Sequence, residues 1–89
     1  MPALTPVMPD IILRRRSPSS FDCGNVPALY DWLQTRGYRP LPPKNSTEYG
    51  RLQRGPSLIV LYTSGSVVFQ GRDVQQPTHL LSLFMVEPL

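Results

Sequence analysis

The run Leu58-Ile59-Val60-Leu61-Tyr62-Thr63 constrains this chain more than any other feature: six β-prone residues, with Gly55-Pro56 before them and Ser64-Gly65 after them. Aliphatic, β-branched and aromatic side chains between turn residues make a strand. A second such run, Ser66-Val67-Val68-Phe69-Gln70, follows the turn and is closed by Gly71, while Tyr49, Arg51 and Gln53 alternate with Gly50 and Leu52 ahead of Gly55-Pro56. Glu48 to Gly71 therefore reads as a three-stranded antiparallel meander.

The loop decides which side chains share a face. A two-residue loop at Ser64-Gly65 would put Tyr62 with Val67; a three-residue loop, Ser64-Gly65-Ser66 with a left-handed Gly, puts Tyr62 with Val68 and Gln70. The second sorts the residues better. It makes Ile59, Leu61, Val67 and Phe69 a purely apolar core face and leaves Val60, Tyr62, Val68 and Gln70 on a mixed one. Tyr49, Arg51 and Gln53 go to the mixed face, because a core does not choose Arg and Gln.

Something must cover the apolar face, and the chain has one clear amphipathic helix. Asn25 is its N-cap, Pro27 lies in the first turn, Gly37 stands past the end, and Val26, Leu29, Tyr30 and Leu33 form its stripe over Val26 to Arg36. Leu29, Tyr30 and Leu33 are expected to pack on Ile59, Leu61, Val67 and Phe69. Trp32, off the centre of the stripe, packs partly against a loop or serves as a ligand platform. Arg39 to Ser46 is a connector punctuated by Pro40, Pro42 and Pro43. Ile11-Ile12-Leu13 with its charged end Arg14-Arg15-Arg16 reads as an edge strand, and the triple arginine is either a nucleic-acid patch or a solvated strand end that blocks edge pairing. Pro77 to Met85 is read as a last helix, with a strand over Leu80 to Val86 the alternative. Residues 1–9 carry three prolines and read as a flexible arm, leaving residues 10–89 as a single domain.

At 89 residues and 10.0 kDa the chain has room for one modest core. One cysteine, Cys23, and one histidine, His79, exclude an internal disulfide and a four-ligand N/S metal site within one chain. No paired carboxylates, nucleophile–base arrangement or phosphate-cradling glycine loop is present, so neither catalysis nor a cofactor is expected. Cys23, just before the helix, is a plain loop cysteine or a thiolate stabilised by the helix N-terminus. The net charge is +3, with eight of the nine cations arginine, which favours forked contacts to phosphate. Without a membrane-length apolar run or a basic–apolar leader, a cytoplasmic location is expected.

The segment Ile59-Val-Leu-Tyr-Thr-Ser-Gly-Ser-Val-Val-Phe-Gln-Gly71, preceded by Tyr49-Gly-Arg-Leu and Gly55-Pro56, resembles the N-terminal domain of bacterial ribonuclease HIII, which has the fold of half a TATA-binding protein. The likeness covers about half of the chain, and Ser66 stands where that family usually has lysine. It implies an α+β domain: a curved antiparallel sheet of three to five strands, one or two helices on one face, and a concave face that holds nucleic acid. Arg51, Tyr62 and Gln70 match positions on that face. The expected function is thus a non-catalytic nucleic-acid-binding module for duplex, hybrid or single strand. Lys44, Arg51 and Arg54 would meet phosphates, Tyr49 and Tyr62 would stack, and Gln53, Val68 and Gln70 would complete the surface. The alternative is a small protein-interaction or inhibitor module, possible as a homodimer, or a nucleotide-sequestering protein using the same face. No membrane partner is expected.

Overall fold

A computed structural model of the protein describes residues 11–73 and 75–86; the expected Pro-rich arm lies outside them. The elements are β1 (Leu13–Ser17), β2 (Ser20–Cys23), α1 (Val26–Gln34), β3 (Arg39–Leu41), β4 (Glu48–Arg54), β5 (Ser57–Tyr62), β6 (Ser66–Gly71), α2 (Gln75–Leu80), a 3-10 turn (Leu81–Phe84) and β7 (Met85–Val86). They form one α+β sheet in the order β3-β4-β5-β6-β2-β1-β7. All neighbours are antiparallel except β7, which adds two residues parallel to β1.

The count exceeds the expected three to five strands for identifiable reasons. Arg14, Arg15 and Arg16 lie within β1, which begins at Leu13 and is flanked on both sides by β2 and β7, because Pro18 and Ser19 turn the chain and Phe21 can then bury its ring against Phe69 at 4.8 Å. Ser20–Cys23, which includes the Cys23 expected in a loop, is β2, pairing with both β1 and β6. Arg39–Leu41, read as connector, is β3, a short edge strand on β4 in which Pro40 is tolerated.

The meander forms as expected over β4, β5 and β6. Gly55 turns at φ +58 before Pro56, so that Arg54 pairs with Ser57. The second loop is three residues long but sits one residue earlier than expected, at 63–65, with Gly65 at φ +101. Parity is unchanged: Ile59 faces Phe69, Leu61 faces Val67 and Val60 faces Val68.

Helix α1 starts where Asn25 accepts a hydrogen bond from the Ala28 N–H at 3.2 Å. It ends where Gly37, at φ +90, lets the Tyr38 N–H return to the Leu33 carbonyl at 3.2 Å. Val26, Leu29 and Leu33 join Leu52, Ile59, Leu61, Val67 and Phe69 in one core, which the 3-10 turn completes with Leu81 and Phe84. The C-terminal segment is thus helix, then 3-10 turn, then a two-residue strand, combining both readings. Trp32 is half-buried, its ring edge-on to Phe84 at 4.8 Å and its face under Arg36 at 4.7 Å. Cys23 is buried, and that burial raises its thiol pKa against the opposing Asn25 backbone hydrogen bond. Among the described residues no helix is long and apolar enough to cross a membrane.

Candidate nucleic-acid interface

Because α1 and the 3-10 turn both pack on the Ile59–Phe69 side, no described helix covers the opposite side of the sheet. Cross-strand pairing lays out that open face in rows: Leu41–Arg51–Val60–Val68–Ser20, and beside it Arg39–Gln53–Leu58–Gln70. Toward β1, Asp22 pairs with Arg14 and also meets Arg16 at 3.4 Å, which puts both arginines on this side. Val60 is fully buried in the middle, while Leu58, Tyr62 and Val68 around it are half-buried.

The expected site residues divide. Arg51, Gln53, Tyr62, Val68 and Gln70 share the open face. Tyr49 does not, because a bulge between Glu48 and Gly50 breaks the alternation there. The bulge sends the Tyr49 ring against Tyr30 of α1, edge-on at 5.3 Å, and brings Glu48 opposite Tyr62. Arg54 pairs with Ser57, whose hydroxyl meets Gln76 of α2 at 3.0 Å, so Arg54 stands on the helix side. Lys44 is exposed in the loop before β4, at the rim.

Arg51 is the central cation, and it is already engaged. Its Nε donates to Glu48 Oε1 at 2.9 Å, and the two side chains are 12% and 3% exposed. The same carboxylate oxygen accepts the Lys44 N–H at 2.9 Å. That backbone hydrogen bond, followed by the Arg51 contact, holds the Glu48 carboxyl below its ordinary pKa, against the opposing effect of burial. Arg51 therefore neutralises a buried acid and has little charge left for a ligand.

The free cations lie at the two margins. Arg39 on β3 and Arg14 on β1 are exposed and have no carboxylate within ion-pair distance among the described residues; Arg16 holds Asp22 only through a solvent-exposed pair, 59% and 54% exposed. Sequence reasoning missed Arg39 because its prolines suggested a connector; the signal for it was the Arg-Pro-Leu alternation that continues the sheet. No group of three His, Cys, Asp or Glu side chains that could hold a metal exists among the described residues.

The site is thus an open antiparallel sheet face with an apolar centre and arginine margins, on an α+β domain with its helices on the other side. Compared with known protein families, with curated proteins and with solved structures, the chain matches none.

Proposed function

We propose that this chain is a non-catalytic nucleic-acid-binding module that works through the open sheet face, in the manner implied by its resemblance to the N-terminal domain of ribonuclease HIII. The observation that carries this reading is the position of the free arginines. Arg39 with nearby Lys44 stands at one margin and Arg14 with Arg16 at the other, five strand spacings apart, roughly 24 Å at normal strand spacing. Cations at both margins suit a polyanion lying across the sheet, and the half-buried Tyr62, Leu58 and Val68 between them suit base or sugar faces. Arg51 organises this surface from beneath.

Titration of labelled single-stranded, duplex and hybrid oligonucleotides at low and moderate salt tests the proposal. Salt-dependent binding to at least one supports it, and no salt-dependent binding to any sinks it. The apolar centre also favours a second reading, a protein-interaction module in which a second copy covers Leu58, Tyr62 and Val68. A tight dimer by light scattering, with no oligonucleotide binding, would support that reading instead.

A further inference from the structure

At the Arg14 margin the open face carries a depression that phosphate contacts do not explain. It measures about 240 Å³ and is lined by Ile12, Arg14, Asp22, Cys23 and Gly24. The pairing of β1 with β2 builds it. Arg14 stands opposite Asp22, and one step along the ladder the Gly24 N–H donates to the Ile12 carbonyl at 3.1 Å, which sets Ile12 opposite Gly24. Strand alternation puts these four residues on the open side, opposite to the buried Leu13, Phe21 and Cys23.

Two of the four shape the space. Gly24 is a bare floor, because a Cβ at that position would meet nothing within 4 Å. Ile12 is 43% exposed and forms an apolar wall beside it. A flat ring can lie in that corner. The volume falls below the roughly 300 Å³ at which whole small-molecule pockets begin, so the depression suits one ring of a larger ligand that is held elsewhere on the face.

The third, Asp22, selects the ring. A carboxylate is out of place on a margin that meets phosphates, since it repels them. Its contact with Arg16 is a single 3.4 Å pair between side chains 59% and 54% exposed, a kind that contributes little. What a carboxylate offers a base is two acceptor oxygens for two parallel N–H donors. Guanine is the base that presents two such donors side by side, N1–H and the 2-amino group. In a duplex its N1–H is spent on cytosine, so the carboxylate reads it only on an unpaired base.

We propose that this depression is a guanine subsite, an inference that rests on the nucleic-acid reading of the open face. The ring lies over Gly24 against Ile12, the Asp22 carboxylate accepts N1–H and the 2-amino group, and Arg14 meets a neighbouring phosphate. The ligand of the face is then a single strand with an unpaired guanine at this margin.

The test is fluorescence anisotropy at fixed salt with short labelled single strands: all thymine, thymine with one guanine, and thymine with hypoxanthine in the place of that guanine. The guanine strand should bind about tenfold more tightly than the thymine strand. Hypoxanthine, which keeps N1–H but lacks the 2-amino group, should fall between them. Asp22→Asn should abolish the preference while the thymine strand binds at least as well, because a negative charge has gone. Gly24→Leu should abolish it by filling the floor. Neither change should unfold the protein, since Asp22 is exposed and Gly24 has open space and no positive φ. GMP carries the base without a strand to span the face, and should compete only above about 1 mM. Equal, salt-dependent binding of all three strands, or a guanine preference that survives both variants, overturns the subsite and leaves the open-face reading standing. GMP binding as tightly as the guanine strand overturns it in favour of a free-nucleotide site. Failure of every strand to bind removes the subsite together with the open-face reading.

Discussion

Tyr30 of α1 packs so closely on Gly50 of β4 that a Cβ at residue 50 would lie 2.5 Å from the Tyr30 Cε1. Gly50 pairs with Leu61 on the core side, so the missing side chain is the space the Tyr30 ring fills, and Tyr49 closes the same ring from its edge. Gly50→Ala should therefore destabilise the fold by about 1–3 kcal/mol, the usual cost of overpacking. In a double-mutant cycle with Tyr30→Ala most of that cost should vanish, because the two residues compete for one volume. Additive losses in urea unfolding would show that the helix does not seat here.

The two sides of β5 and β6 should respond unequally to truncation. Phe69 is 2% exposed and packs against the tilted ring of Phe21, so Phe69→Ala should cost about 3–5 kcal/mol, close to the whole stability of a small domain. Tyr62 is half-buried on the open face, and Tyr62→Ala should cost much less. Comparable losses at the two positions, measured by denaturant midpoint, would contradict the assignment of faces.

The meander was legible because its signals agreed: two β-prone runs, a Gly-Pro turn and a loop glycine, with parity fixed by the need to gather Ile59, Leu61, Val67 and Phe69. The helix was legible for the same reason, from Asn25 to Gly37. The strands missed have weak local preferences. Arg39-Pro40-Leu41 pairs only because β4 offers it an edge, and Ser20–Cys23 only because Phe21 packs beside Phe69 of the neighbouring strand β6. The site was harder to read, since a bulge has no simple sequence mark. One extra residue at Tyr49 moved that ring to α1 and gave Glu48 to Arg51.

The Glu48–Arg51 pair predicts a pH response. The folded-state pKa of Glu48 lies below its ordinary value, so its contribution to stability is complete above about pH 4.5 and is lost as the pH falls through the lowered folded value. Glu48→Gln can still accept the Lys44 N–H but carries no charge. The variant should be less stable than the parent at pH 7, and the difference should shrink on acidification below about pH 4.5 and close once the pH lies below the lowered folded value. Thermal unfolding of both proteins across this range checks it. A difference that stays constant with pH would mean that the carboxylate is not held by these contacts.

The arginines of the open face should also separate by position. Arg39 and Arg14 are exposed and have no carboxylate within ion-pair distance among the described residues, and under the proposed function each meets a phosphate. Arg39→Ala and Arg14→Ala should each weaken oligonucleotide binding to a similar degree for every sequence, because phosphate contacts carry no base information. Each should also lower the slope of log affinity against log salt by about 0.7–0.9. Neither should change stability by more than about 0.5 kcal/mol, as expected of surface positions. Arg51→Ala should behave differently: it strands the Glu48 carboxylate in a buried site, so the fold itself weakens, and any loss of binding follows from the disturbed surface. The discriminating measurement is the salt slope of Arg51→Ala below its unfolding transition. A slope equal to that of the parent protein places Arg51 beneath the interface, and a slope reduced by a full contact would return it to the phosphate-binding set.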